Sequence, residues 1–325
     1  MAHIDVSIII PHYNRSLLLK QTIQSVVQQS YEDWEIIIVD DGSDELEWKK
    51  IVDYSSEKVR VLQRKDGLKG PSRCRNLGAS VAAGKYLLFL DSDDLLAEFC
   101  LAQRVSQMQG NDTAGMCIFL MKEFHTSPGD SSNIYNTVVP EHRWSAAFLA
   151  NCNPWNVTCP LWTKSFFQKI GGFNERLFFM EDPEIHLRAI NQKGAIIKLC
   201  YHLPADSYYR VNHIDHTKGD FWYNSIFYRL QFYKILLENQ GSLLNTYRTD
   251  VKKGVYQLVK TFLYHRKNQF PELFNELVQW MKKSGLFSAI EIARIYCLTI
   301  VGNYNSPVLK KLKVKGICYS LLPRS

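Results

Sequence analysis

Long apolar runs are missing from this chain of 325 residues. A membrane-spanning helix needs about 20 mostly apolar residues. The best stretch for one, 287–304, is interrupted by Glu291 and Arg294. No secretory signal is expected either: 1–5 carry no basic n-region, and the apolar run Val6–Ile10 is too short for one. C-x-x-C spacing is absent although there are eight cysteines, which suits reduced, mostly buried thiols in a cytosolic protein. Internal repeats and low-complexity segments are absent too.

What remains is an ordinary globular composition, 46% hydrophobic and 22% charged. The length suits one sizeable domain with an appendage, or two domains. The net charge of +7 is unevenly spread, because 250–325 hold thirteen Lys or Arg against four Asp or Glu. A near-neutral body with a basic tail points the tail at an anionic surface.

The most informative stretch is 86–96, YLLFLDSDDLL. Its apolar run follows Gly84 and meets three acids, Asp91, Asp93 and Asp94, as expected of a strand buried on both faces. Ligands of open α/β sheets bind just beyond such strand ends. Clustered carboxylates repel one another, and Asp-x-Asp suits a hard divalent cation that also holds a diphosphate. A second reading makes Asp94 the N-cap of a helix from Leu95.

Upstream, strand and helix alternate. Val6–Ile10, Trp34–Val39 and Val59–Gln63 read as strands; Leu17–Gln29, Leu46–Tyr54 and Pro71–Ala83 read as helices. This βαβαβαβ order implies a parallel, doubly wound sheet. The strand ends carry polar groups: Pro11, Tyr13, Asn14 and Arg15 after the first, Asp40, Asp41 and Gly42 after the second. Tyr13 offers a ring to a base, and the acids can accept from a base N–H or a ribose hydroxyl. Arg73 and Arg75 open the helix after the third strand, beside glycines Gly67 and Gly70. Pro11–Arg15 lacks the glycine-rich, lysine-bearing loop that a nucleotidyltransferase would need.

VSIIIPHYN, IIIVDDGSD, CRN at 74–76, AAGKYLLFLDSDD and FFMED together resemble family-2 glycosyltransferases of the GT-A fold. The resemblance runs from Asp5 to about Leu203 and implies an α/β fold with a mostly parallel, GT-A type nucleotide-binding sheet. It implies that Pro11, Tyr13, Asn14, Arg15, Asp40, Asp41, Arg75, Asp91, Ser92 and Asp93 line a nucleotide-sugar site. Asp93 and Asp91, with His213, are the implied ligands of Mn²⁺ or Mg²⁺. Cys74 stands where alanine is frequent, and His12 is given no role.

Further along, Ala97–Met108 reads as a helix and Gly115–Met121 as a buried strand, followed by a loop or hairpin to Pro140. Trp144–Asn151 and Lys164–Ile170 read as helices. The segment 153–162, with two prolines and two tryptophans, reads as irregular; Trp155 and Trp162 either line a sugar pocket or belong to the core. Glu181 and Asp182 are the catalytic pair that the resemblance implies, Asp182 as general base; by its own sequence, Asp182 is equally an N-cap before Pro183. Ala195–Cys200 reads as a strand. Arg210 and His213 resemble a loop that closes over the donor diphosphate. Phe221–Asn239, Thr246–Tyr264, Pro271–Ser284 and Phe287–Val301 read as a helical appendage.

The expected organisation is a glycosyltransferase domain over 1–219, with a nucleotide half to about 96 and an acceptor half after it, then a helical region over 220–325. The resemblance implies inverting transfer from a nucleotide sugar, most naturally a UDP-sugar, to a glycan or lipid-linked hydroxyl in cell-surface polysaccharide synthesis. A pseudoenzyme that binds the nucleotide sugar without needing Asp182 is the rival reading. Nucleic acid is not an expected partner. A cytoplasmic protein, peripheral on the inner face of the membrane, follows from the tail, where Lys310, Lys311, Lys313 and Lys315 alternate with Leu312 and Val314. Each such cation contributes on the order of 1 kcal/mol at an anionic surface. Vesicle co-sedimentation should therefore require anionic lipid, weaken with salt and disappear when 308–325 are deleted; equal binding to neutral vesicles would reject the membrane role.

Overall fold

The computed structural model describes residues 3–109, 114–211, 220–264 and 266–303. In chain order the elements begin β1 (Val6–His12), α1 (Ser16–Val27), β2 (Trp34–Asp40), α2 (Glu45–Val52), β3 (Val59–Gln63), α3 (Pro71–Val81) and β4 (Tyr86–Phe89). There follow β5 (Leu95–Leu96), α4 (Cys100–Gln109), β6 (Met116–Ile118), β7 (Met121–Phe124), α5 (Trp144–Leu149), β8 (Pro160–Thr163), α6 (Lys164–Lys169), α7 (Glu181–Ile190), β9 (Ile197–Leu199) and β10 (Ser207–Arg210). The rest is helical: α8 (Phe221–Asn239), α9 (Gly241–Thr246), α10 (Arg248–Leu258), α11 (Pro271–Ser284) and α12 (Ala289–Asn303).

Seven strands form one sheet in the order β3-β2-β1-β4-β8-β6-β9, and β5-β10-β7 form a second, small one. The pairs β1–β2, β1–β4, β2–β3 and β6–β9 are parallel, while β8 runs antiparallel to both its neighbours. The mostly parallel α/β sheet expected from the sequence is present. Unbroken Val, Ile and Leu runs in β1, β2 and β4 belong there, because helices cover both faces and every residue from Ile8 to Ile10, Ile36 to Val39 and Leu87 to Phe89 is fully buried.

The chain divides into two compact units, Met1–Val138 with Asn153–His213, and Val139–Cys152 with Ile214–Ser325. The segment carrying α5 therefore groups with the carboxy-terminal helices rather than with the sheet. In that helical unit Arg143 pairs with Asp250 at 2.8 Å, and Tyr233 Oη donates to Leu149 O at 2.9 Å. The tail beyond Asn303, and with it the membrane-binding expectation, lies outside the described residues. Among the described residues no helix is long and apolar enough to cross a membrane.

Several expectations need correction. Pro11 makes no turn: β1 continues through it to His12, in register with Val39 and Asp40. Its missing N–H matters on the other side. Leu90 N–H donates to Ile9 O at 3.0 Å, and with no donor at Pro11 the β1–β4 ladder stops there. The segment expected to be irregular supplies β8, and the stretch 115–121 divides between β6 and β7 in different sheets. Asp94 caps no helix, since Leu95 and Leu96 pair with β10 instead. Of the two readings open for Trp155 and Trp162, the core one holds: they are 1% and 0% exposed, and both rings pack against His186.

Helix α3 lies against β1 through Gly78. A Cβ there would fall inside the van der Waals envelope of Ile9 Cγ2 and 3.3 Å from its Cγ1, and Ile9 is fully buried. Gly78→Ala should therefore cost about 1–3 kcal/mol by overpacking, read as a lowered denaturation midpoint with unchanged m-value. An unchanged midpoint would mean that the helix is free to move off the sheet.

Candidate active site

The helix α3 presents Ser72, Arg75 and Asn76 on one face, as spacings of three and four residues require. Ser72 Oγ donates to Leu177 O at 2.9 Å, and Asn76 exchanges hydrogen bonds with Phe173 O and N at 2.9 and 2.8 Å. The segment leading into α7 is thereby fixed to α3. Arg75, 3% exposed, lies with its guanidinium carbon 5.3 Å from the Phe173 ring centre. Its Nη2 donates to Asp91 Oδ1 at 2.7 Å and its Nη1 to Glu181 Oε1 at 3.0 Å; Asp182 Oδ1 stands 3.6 Å from Nη1. One cation joins the acids that end β4 to the acids that open α7.

Asp182 is no N-cap. The helix begins at Glu181 after Met180, whose φ of +70° is left-handed, and Pro183 falls inside the first turn, where its missing N–H leaves no intrahelical bond unmade. Asp182 Oδ2 accepts from Val157 N–H at 3.0 Å, while Oδ1 has no hydrogen-bond donor among the described residues. Burial first, then the charge of Glu181, pushes this carboxyl up to about 8, against the pull of Arg75. Glu181 is also raised by burial, with Arg75 opposing. A carboxylate with one fixed oxygen, one oxygen that has no hydrogen-bond donor and a raised proton affinity is suited to accept a proton near neutral pH.

Beyond β4, Asp94 N–H donates to Asp91 O at 3.1 Å, closing a turn in which Ser92 is buried. Asp93 Oδ2 accepts from Arg15 Nη1 at 2.8 Å. Asp94 is 1% exposed; its Oδ1 accepts from Arg210 N–H at 3.0 Å, and burial with the charges of Asp91 and Asp93 raises its carboxyl well above the usual range. Arg210 ends β10 and is buried; its Nε donates to Asp93 O at 2.8 Å and its Nη2 to Gln21 Oε1 at 2.7 Å. It anchors the acidic turn from behind, and is not on a loop. His213 lies outside the described residues.

Asp91 and Asp93 offer hard oxygen donors with 35% and 14% of their side chains exposed. That donor set fits Mn²⁺ or Mg²⁺ held by two carboxylates, with the other positions left to water and phosphate oxygens. Among the described residues no group of three or more His, Cys, Asp or Glu forms a complete protein cage.

The remaining residues divide. Tyr13 is 44% exposed with Lys69 Nζ 3.6 Å from its ring centre, and Asp41 accepts from Gly70 N–H at 2.8 Å and pairs with Arg64. Asp40 is withdrawn: fully buried, it is bonded to His12 Nδ1 at 3.0 Å and to Ser43 N–H at 3.0 Å. Burial raises Asp40, but His12 and Ser43 outweigh it and hold the carboxyl below its ordinary value. Asn14 is also committed, its Oδ1 accepting from Asp44 N–H at 3.0 Å and its φ of +49° left-handed. His12, given no role from sequence, also accepts from Arg15 N–H through Nε2 at 3.2 Å and so links the start of α1 to Asp40. Val157 gave no signal either, and Asn76 stood in the CRN motif without an assigned role; its spacing from Ser72 and Arg75 hinted at a shared face.

A model of the family described as glycosyl transferase family 2 matches residues 7–157. An uncharacterized glycosyltransferase of Rickettsia bellii is 32% identical over 179 residues, 53% of this chain and 24% of that protein. WfgD of Escherichia coli, a UDP-Glc:alpha-D-GlcNAc-diphosphoundecaprenol beta-1,3-glucosyltransferase, is 33% identical over 111 residues, 34% of this chain and 44% of its own length. The chain thus spans less than half the length of these relatives. Among solved structures, S. aureus TarS 1–349 in complex with UDP-GlcNAc superposes with a TM-score of 0.64 at 17% identity, covering 95% of this chain and 92% of that one. That likeness is one of fold, and it extends through the helices after the sheet. With the sheet order and the acids at the end of β4, the segment 7–157 is similar to glycosyl transferase family 2, and the fold is of the GT-A type.

Proposed function

We propose that the protein transfers a sugar, with inversion, from a UDP-sugar to a hydroxyl of a glycan or lipid-linked acceptor in cell-surface polysaccharide synthesis. The observation that carries this reading is Asp182: a carboxylate raised to about 8, held by Val157 N–H at one oxygen and without a donor at the other, beside the acids of β4. A glycosyl-binding protein without chemistry has no need of such a group. Tyr13 and Asp41 would receive the base, and Asp91 and Asp93 would hold the divalent cation. Bound there, a cation supplies Lewis-acid stabilisation of the charge that grows on the leaving diphosphate.

This chain's own residues do the rest. Arg75 fixes Asp91 and Glu181, so the donor end and the base end of the site keep one spacing. Asp182 Oδ1 takes the proton of the attacking hydroxyl as the anomeric carbon gains positive charge. A single displacement turns an α-linked donor into a β-linked product. The relative WfgD, which acts on a diphosphoundecaprenol-linked sugar, supports a lipid-diphosphate acceptor for this chain. Such an acceptor agrees with a peripheral position at the inner membrane face.

Incubation with Mn²⁺ and a panel of UDP-Glc, UDP-Gal, UDP-GlcNAc, UDP-GalNAc and GDP-Man should give transfer or donor hydrolysis with one of the UDP-sugars. Asp182→Asn should keep donor binding and lower turnover by roughly 10²–10⁴-fold. Asp93→Ala should lose both turnover and Mn²⁺-dependent UDP binding. Full activity in EDTA would overturn the metal assignment, and unchanged turnover in folded Asp182→Asn would overturn the base.

A further inference from the structure

Two arginines neutralise the two candidate metal ligands, and they differ in kind. Arg75 is buried, holds Asp91 and Glu181 together, and has nowhere to go. The Arg15 side chain is 54% exposed, and among the described residues its ion-pair partner is Asp93, Nη1 to Oδ2 at 2.8 Å. Only its backbone is fixed: Arg15 N–H donates to His12 Nε2, and Arg15 O accepts from Leu18 and Leu19 N–H at 3.1 and 3.0 Å. The result is an anchored main chain with a releasable cationic arm. An ion pair made through an arginine arm that is half exposed is weak and easily exchanged.

We propose that Arg15 is a built-in competitor for Asp93 that couples cation binding to diphosphate binding. It rests on the reading of Asp91 and Asp93 as the cation's ligands. A divalent ion approaching Asp93 meets a guanidinium already on one carboxylate oxygen, so it must displace that group as well as shed water. Without nucleotide the displaced arm returns and competes. With a diphosphate present, the planar fork of Arg15 has an oxyanion to hold, and Asp93 Oδ2 is released from the guanidinium. The nucleotide therefore tightens the ion, and by reciprocity the ion tightens the nucleotide to the same degree. The acidic turn is protected from unpaired charge until a donor arrives.

The test is Mn²⁺ binding to the full chain, followed by the paramagnetic resonance of free Mn²⁺, for the wild type, Arg15→Gln and Arg15→Lys, each with and without UDP. In the absence of UDP, Arg15→Gln should bind Mn²⁺ roughly two- to fivefold tighter than the wild type, the scale of a lost exposed ion pair. The enhancement of Mn²⁺ affinity by UDP should shrink by at least that factor in Arg15→Gln, and Arg15→Lys should restore part of both effects. Equal or weaker Mn²⁺ binding by Arg15→Gln without UDP, or an undiminished UDP enhancement, would overturn the proposal while leaving the metal site standing. No Mn²⁺ binding by any of the three, with UDP or without, would overturn the metal site beneath it.

Discussion

The site depends on one buried guanidinium. Asp91, Glu181 and Asp182 cannot share a small volume as anions without a counter-charge, and Arg75 supplies it from inside the fold. Three acids keep Arg75 protonated despite its burial. Removing one partner of such a group typically costs 3–5 kcal/mol, because the remaining charge is stranded. The distribution of its contacts is the informative part. Asp91 and Glu181 receive N–H bonds at 2.7 and 3.0 Å, and Asp182 receives none from it at 3.6 Å. Burial and the charge of Glu181 raise the proton affinity of Asp182, and Arg75, which gives it no hydrogen bond, offsets them only in part.

Around that centre, each mobile-looking piece of the site is held from behind. Arg210 fixes the main chain of Asp93 and Asp94, and the pairing of His12 with Asp40 shapes the turn that carries Arg15. Ser72 and Asn76 fix the approach to α7, so that Phe173 lies beneath Arg75. A cleft of about 490 Å³ lined by Arg64, Asp66, Arg73 and Glu175 contains none of the reacting acids, and its arginines are paired with those carboxylates. The acids proposed for the chemistry lie at the strand ends.

The strands around that site were legible because buried parallel strands leave continuous apolar runs, as at 8–10, 36–39 and 86–90. The acids at their ends were legible because open sheets bind ligands there. What escaped detection was short or tertiary. Strands β5, β7 and β10 have two to four residues, too few for a period. Strand β8 begins at Pro160 in a segment whose prolines and tryptophans suggested irregular chain. Asp40 reads like a ligand group until His12, twenty-eight residues earlier, proves to be its partner. Asp94 and Asp182 both fit helix caps locally; one is bonded by Arg210 N–H and the other by Val157 N–H, contacts across 116 and 25 residues that local sequence does not encode.

The most direct measurement of the central claim is the pH dependence of kcat/KM, which reports groups of the free enzyme. A general base works only when deprotonated, so a carboxyl raised towards about 8 gives activity that climbs with pH above the ordinary carboxylate range. The wild type should show that displaced ascending limb, and Asp182→Asn should lack it at every pH. A limb at ordinary carboxylate pH, or one that survives in Asp182→Asn, would contradict the assignment of Asp182 as the base that Arg75 leaves unsatisfied.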